Sequence, residues 1–257
     1  MLQARRLGEH LAARSASTGP LLHVFASDLQ RAALTAQAIV DAHSAESESE
    51  AETPRASVTV VQVPDLRERD FRSSEGVKFG VGVQLSDAET HLEMHARVVR
   101  FIEVHLDPIL RDVEPTLGTV TGSLVIVAHG LILNVLLSAL LSRFAPTELE
   151  RLISTGRGST EYLASWTNTG FVEALIHSNA PTPLVDMAVV DVEEPADDVP
   201  VTSTTPSPQA SIRLEVVVVN SVEHLRGLKK TRGGIGSAKF DSKQKTMDSF
   251  FKPAAKQ

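Results

Sequence analysis

The sequence predicts an α/β fold, a three-layer sandwich built on a mostly parallel sheet. Three features carry that prediction. Strand-like and helix-like segments alternate along most of the chain. Ser123–Ala128 (SLVIVA) is an almost continuous apolar run, the pattern of a parallel strand buried on both faces. His129-Gly130 ends that run, and an apolar helical stretch follows at once, which is the punctuation of a strand-to-helix unit.

The elements follow in order. Leu2, Leu7 and Leu11 stand near helical spacing, so residues 2–14 read as an amphipathic helix with no preceding cap. Leu21–Ala26 (LLHVFA) reads as a strand. Ser27 and Gln30 have capping-box spacing and predict a helix running to about Ala42. Ser44–Ser57 is serine-rich and acidic, so it reads as a loop. Val58–Val63 (VTVVQV) is a β-branched strand, and Leu66–Gly82 a mixed-polarity loop of the kind that lines active sites. Ala88–Val113 reads as a long helix with Leu92, Val99, Ile102 and Leu106 on its apolar face. After Ser123–Ala128 comes a helix over Leu131–Arg143, too short and too interrupted by Asn134 and Ser138 to span a bilayer. Thr147–Ser154 is a further short helix. Glu161–Ser165, Phe171–His177 and Arg213–Asn220 read as strands.

Composition narrows the chemistry. The chain has no cysteine, which excludes disulfides, thiolate zinc sites and a thiol nucleophile. Residues 1–14 have no apolar core segment, so they are not a signal peptide. The net charge of −7 is divided unevenly. From Arg226 onward nine basic residues face two acidic ones, so the body is strongly acidic and the tail basic. Residues 178–211 hold six of the thirteen prolines, six acidic residues and no Lys or Arg, and read as a disordered insertion. His91, His95 and His105 lie on the long helix, but without a further ligand they read as surface residues rather than a metal site.

Three residues sit where strands end. Arg31 lies one helical turn after Leu21–Ala26, Glu68 a short loop after Val58–Val63, and His129 directly after Ser123–Ala128. In a parallel sheet these positions converge on the carboxyl edge, where such folds place their sites. A fixed cation, a carboxyl group and an imidazole suit phosphoryl transfer. Arg31 would clamp phosphate oxygens, His129 would donate to the developing charge, and Glu68 would protonate the leaving oxygen.

The wording around these residues, SDLQRAALTAQAI (27–39), LRERDFRSSEG (66–76) and VIVAHGLILNVLL (125–137), resembles three motifs of the histidine phosphatase, or phosphoglycerate-mutase-like, superfamily. VNSVEHL (219–225) is similar to its closing strand segment. The resemblance implies a phosphohistidine mechanism, with Arg31, Glu68 and His129 in the roles given above and no cofactor. It divides the chain into a phosphatase-like domain (1–177), the insertion (178–211), the last strand of the same domain (212–225) and a disordered tail (226–257). It implies a phosphorylated small-molecule substrate, hydrolysed rather than isomerised. One motif of the family is missing: the nucleophilic His stands in an Arg-His-Gly on the first, central strand, and no Arg-His-Gly occurs in these 257 residues. Gln3–Arg14 resembles the helix that follows that motif. The expectation is therefore a chain truncated before its nucleophile, inactive as it stands, with an open slot in its sheet. Arg72 also departs from the pattern, in a position where many relatives carry Gly.

The tail carries a separate signal. Gln244, Met247, Phe250 and Phe251 resemble the PIP box, the peptide that binds the sliding clamp PCNA. A single helical turn sets Met247, Phe250 and Phe251 at i, i+3 and i+4, a three-pronged apolar plug with Gln244 beside it. The resemblance implies PCNA as a partner, a nuclear and/or cytoplasmic location, no membrane and no direct nucleic-acid binding. The alternative to a tethered phosphatase is a non-catalytic, phosphatase-like protein whose function is clamp binding.

Overall fold

The computed structural model describes residues 1–50, 57–76, 86–111, 122–154, 164–179 and 211–228. In chain order its elements are α1 (Leu2–Ala12), α2 (Ser15–Thr18), β1 (Leu21–Ala26), α3 (Gln30–Glu50), β2 (Val60–Gln62), α4 (His91–Phe101), α5 (Asp107–Arg111), β3 (Ser123–Val127), α6 (Gly130–Phe144), α7 (Pro146–Ser154), β4 (Phe171–Asn179) and β5 (Ser211–Ser221). A π-helical turn, Ile102–Leu106, joins α4 to α5. β1 lies between β2 and β3 and is parallel to both. β4 and β5 form a separate antiparallel pair.

Alternation along the strands makes the layers, because successive side chains point to opposite faces. Val24 and Ala26 of β1, with Val125 and Val127 of β3, meet Leu7 of α1 and Ala36, Ile39 and Val40 of α3. Phe25, Leu124 and Ile126 point the other way, into a core of Val98, Phe101, Ile102 and Leu106 with Ile132, Val135 and Leu136 of α6. Phe25 meets Phe101 edge-on at 5.5 Å between ring centres. A third cluster joins Leu137 and Leu141 of α6 to Leu214, Val172 and Val216 of the antiparallel pair.

Several elements differ from the sequence reading. α3 continues to Glu50, through much of the segment expected to be a loop. Seven of its residues from Ser44 to Glu50 are Ser, Glu or Ala, and alanine and glutamate propagate a helix already anchored by Ile39 and Val40. β2 is shorter than expected. The long helix starts at His91, not Ala88, because Thr90 caps it: the Thr90 hydroxyl accepts from Glu93 N–H and the Glu93 carboxylate accepts from Thr90 N–H, a complete capping box. That start turns Leu92 outward, to 80% exposure, and puts Met94, Val98, Phe101 and Ile102 inside. The box expected at Ser27 does not form. Ser27 Oγ accepts from Leu29 N–H, and α3 begins at Gln30. The strand expected at Glu161–Ser165 is absent at Ala164 and Ser165, and its first three residues lie outside the described set. The ends of the expected insertion are strand instead, because β4 runs on through Ser178 and Asn179 and β5 starts at Ser211. Residues 180–210 and 229–257 lie outside the described set.

Two helices approach closely because of one residue. A Cβ on Gly8 of α1 would stand 2.4 Å from the Ala38 carbonyl oxygen of α3. Only glycine allows that contact. Gly8→Ala must push α1 off α3 and is expected to cost about 2 kcal/mol, an overpacking penalty that chemical denaturation will read as a lowered midpoint. An unchanged midpoint would contradict the packing.

Candidate functional site

The β1–β3 ladder places the site. Phe25 is paired with Ile126 and Ala26 with Val127, and Ser27 N–H then donates to the Val127 carbonyl at 2.9 Å, extending the ladder past the strand end. Ser27 and His129 therefore stand side by side. His129 Nε2 is 2.9 Å from Ser27 Oγ, and both residues are buried. Arg31, in the first turn of α3, donates Nε–H to His129 Nδ1 at 3.0 Å. Arg31 is otherwise exposed, and no carboxylate among the described residues pairs with it.

Glu68 reaches the same edge from the loop after β2. Its carboxylate accepts N–H bonds from Leu131 at 3.3 Å and Ile132 at 3.2 Å, capping the N-terminus of α6, and one from Arg69 at 3.0 Å. The structure thus brings Arg31 and His129 into contact and sets Glu68 on the helix that His129 begins. Both Glu68 oxygens serve as acceptors here, and Oε2, which takes only the Leu131 N–H, keeps a lone pair that can carry a proton.

The loop carrying Glu68 is held by a buried ion pair. Glu89 takes two charge-assisted bonds from Arg97, at 2.6 and 2.8 Å, and accepts from Asp70 N–H. Arg97 also donates to the Asp65 carbonyl, and Arg69 to the Glu89 carbonyl. Arg72 lies further along with φ +46°, in the left-handed region that favours glycine, the residue the resemblance leads one to expect there, so its backbone is strained.

Two neighbours of His129 were not singled out from sequence as site residues. One is Ser27, whose cap-like spacing points to α3 rather than to His129. The other is Asp28, which forms a forked pair with Arg67 at 2.7 and 2.5 Å across the site's rim. Hydrogen bonding to Arg67 lowers the Asp28 pKa, against an opposing effect of burial. Burial first, and the Arg31 charge second, push His129 down to about 4, opposed by Asp28. His129 is neutral at pH 7.

Among the described residues nothing pairs with the outer edge of β3, and all five of its residues are half-exposed although four are Leu, Val or Ile. Phe171 at the start of β4 packs on the cluster that includes Val125 and Val127, so the antiparallel pair stands beside that edge without bonding to it. A cleft of about 570 Å³ between α1 and the ends of β4 and β5 lies apart from Arg31 and His129. Its arginines are matched by carboxylates, Arg14 to Glu173 and Arg226 to Glu223. His105 packs on Phe25 and Phe101, His95 is exposed, and no group of potential metal ligands occurs among the described residues. Gln244, Met247, Phe250 and Phe251 lie outside the described residues.

The profile of the histidine phosphatase superfamily, branch 1, matches residues 1–173. Two solved mycobacterial structures, titled mycobacterial hydrolase 1 and mycobacterial hydrolase 2, superpose with TM-scores of 0.50 at 18% identity. Each comparison covers 86% of this chain, with 84% of the first structure and 77% of the second. A mycobacterial glucosyl-3-phosphoglycerate phosphatase complexed with VO3 gives 0.49 at 18% identity, covering 86% and 84%. These likenesses concern the fold. A search of curated proteins returned no match.

The lowered His129 pKa has a measurable consequence. Below its ordinary value of 6.5 the unfolded chain binds a proton that the folded chain refuses, so stability falls as pH drops from 6.5 to about 4. The loss is on the order of 3 kcal/mol. His224, whose pKa is lowered by burial and by His10, contributes in the same direction. Denaturation at pH 7 and pH 4.5 should show that His129→Gln loses distinctly less stability over that interval than the unmodified chain. An equal loss would mean that His129 is not held neutral.

Proposed function

The chain belongs to the histidine phosphatase superfamily, and we propose on that premise that it is the phosphate-binding body of a phosphomonoesterase working through a phosphohistidine. The observation that carries the reading is the Arg31–His129 pair at the carboxyl edge of the parallel sheet, with a cation that no described carboxylate neutralises. An Arg without a counterion beside a buried imidazole suits a phosphoryl dianion.

In this reading a nucleophilic imidazole attacks phosphorus and the ester P–O bond breaks. The departing oxygen takes its proton from Glu68, and water then attacks the phosphohistidine and releases inorganic phosphate. Arg31 holds the equatorial oxygens and His129 donates to them as charge develops. In this reading the nucleophile is not among the 257 residues, because they hold no Arg-His-Gly; His10, within α1, and His23, within β1, lack that setting. A strand ending in Arg-His-Gly on the edge of β3 that no described residue pairs with would bring its His to the same carboxyl edge as Arg31 and His129. The chain by itself is inactive in this account.

Hydrolysis of p-nitrophenyl phosphate tests the reading. The chain alone should give no turnover above background, and a version extended by such a strand should become active. Arg31→Ala or His129→Ala in the extended version should cost roughly a hundred- to a thousand-fold in kcat. Turnover by the chain alone that disappears on His129→Ala would overturn the assignment of the nucleophile.

The tail motif supports tethering of this body to the PCNA clamp, and it alone favours the second reading, a clamp-binding protein without chemistry. A Ser242–Gln257 peptide should bind the clamp with micromolar affinity, about −8 kcal/mol. The double change Phe250→Ala, Phe251→Ala should remove most of that affinity, because aromatic anchors dominate such interfaces. Fluorescence anisotropy decides it: equal binding by the double-alanine peptide removes the clamp from the account.

A further inference from the structure

The hydrogen bonds around His129 fix its proton. Arginine only donates, so the Nδ1 that receives Arg31 Nε–H is the bare nitrogen. The proton of the neutral ring is therefore on Nε2, and it is given to Ser27 Oγ. Ser27 Oγ also accepts from Leu29 N–H, so both of its acceptor positions are filled. The Ser27 N–H bond to Val127 ties the residue to the sheet. Ser27 is fully buried and His129 is 5% exposed, so water does not compete for the bond between Nε2–H and Ser27 Oγ.

This arrangement conflicts with anion binding. A neutral His129 has one donor, which is spent on Ser27, and one lone pair, which faces Arg31. An oxyanion arriving at Arg31 would meet that lone pair. We propose, resting on the reading of this edge as a phosphate pocket, that a tetrahedral dianion binds between Arg31 and His129 only as His129 takes up one proton at Nδ1, Ser27 continuing to hold Nε2–H. In the exchange the Arg31 Nε–H leaves Nδ1 for an oxyanion oxygen, one proton comes from solvent to Nδ1, and the new N–H donates to a second oxygen. No bond to phosphorus changes.

The surrounding charges favour the exchange once the anion is present. Arg31 opposes protonation of His129 in the empty site, and a bound dianion offsets its charge. Asp28 favours the imidazolium, and Asp28 stays ionised through its fork to Arg67. Glu68, on the same loop as Arg67, is engaged with the first N–H groups of α6. Ser27 is thus a positioning residue. It fixes the tautomer, so the site responds to pH instead of offering a neutral donor.

Sulfate is the probe, because it is a dianion across the useful range and brings no titration of its own. The full chain, labelled with ¹⁵N in His and Arg side chains, is titrated with sodium sulfate against sodium chloride at equal ionic strength. The His129 signals are assigned by His129→Gln. Without sulfate, His129 should show a protonated Nε2 and a bare Nδ1. With sulfate, both nitrogens should be protonated, the Arg31 Nε resonance should move, and affinity should rise about tenfold for each pH unit lowered from 7.5 to 6.5. Ser27→Ala frees the ring to present Nε2–H while neutral, so sulfate should still bind with a flattened pH dependence. Should that variant not fold, the unmodified chain decides alone. Sulfate that moves Arg31 Nε while Nδ1 stays bare and affinity ignores pH overturns the proton coupling and leaves the pocket standing. An Arg31 resonance indifferent to sulfate overturns the pocket reading and the coupling together.

Discussion

The parallel register between β1 and β3 is the constraint from which the site follows. Pairing Ala26 with Val127 brings Ser27 N–H onto the Val127 carbonyl, and this sets Ser27 beside His129 just beyond the strand ends. The same register decides which residues face which helices: Val24 and Ala26 go to α1 and α3, Phe25 to α4 and α6. A slip of one residue would exchange the two faces, placing Phe25 where Ala36 and Ile39 leave little room. Hydrophobic packing thus enforces a hydrogen-bond register, and the register in turn builds a polar site that packing alone would not favour.

The site is costly in itself. A buried imidazole beside a guanidinium that no described carboxylate neutralises, with its last lone pair turned to that cation, binds a proton poorly. Groups that would relieve it are engaged elsewhere: Asp28 with Arg67, and Glu68 with the N-terminus of α6. Such an arrangement persists when its surroundings determine it, and it is a common signature of a place meant for a ligand. In the proposed reading an oxyanion supplies the missing charge.

What could be read from the sequence was what repeats locally. The apolar run at Ser123–Ala128, the βα punctuation at His129-Gly130 and the spacing of Arg31 after β1 are all short-range patterns that form the expected elements. The run, however, expected to be a central strand buried on both faces, is half-exposed and stands at the end of the described sheet, because that depends on which strands pair with it. Other features depend on partners distant in sequence. Leu92 has suitable spacing for the core, but the Thr90–Glu93 box sets the helix phase and turns it out. Ser27 has the sequence of a cap, yet its hydroxyl serves a histidine 102 positions away. Asp28 and Arg67 are ordinary surface residues until two loops meet. α3 runs through an acidic segment because helix propagation costs less than its polarity suggests once one face is buried.

The central claim is that Arg31 and His129 form an oxyanion pocket, and a crystal of the full chain soaked in tungstate tests it most directly. The account predicts a tetrahedral ion in contact with both the Arg31 guanidinium and His129 Nδ1, with the Arg31–His129 bond opened and the His129–Ser27 bond intact. Tungstate bound only elsewhere, for instance at Arg14 or Arg226, with Arg31 still bonded to His129, would contradict it.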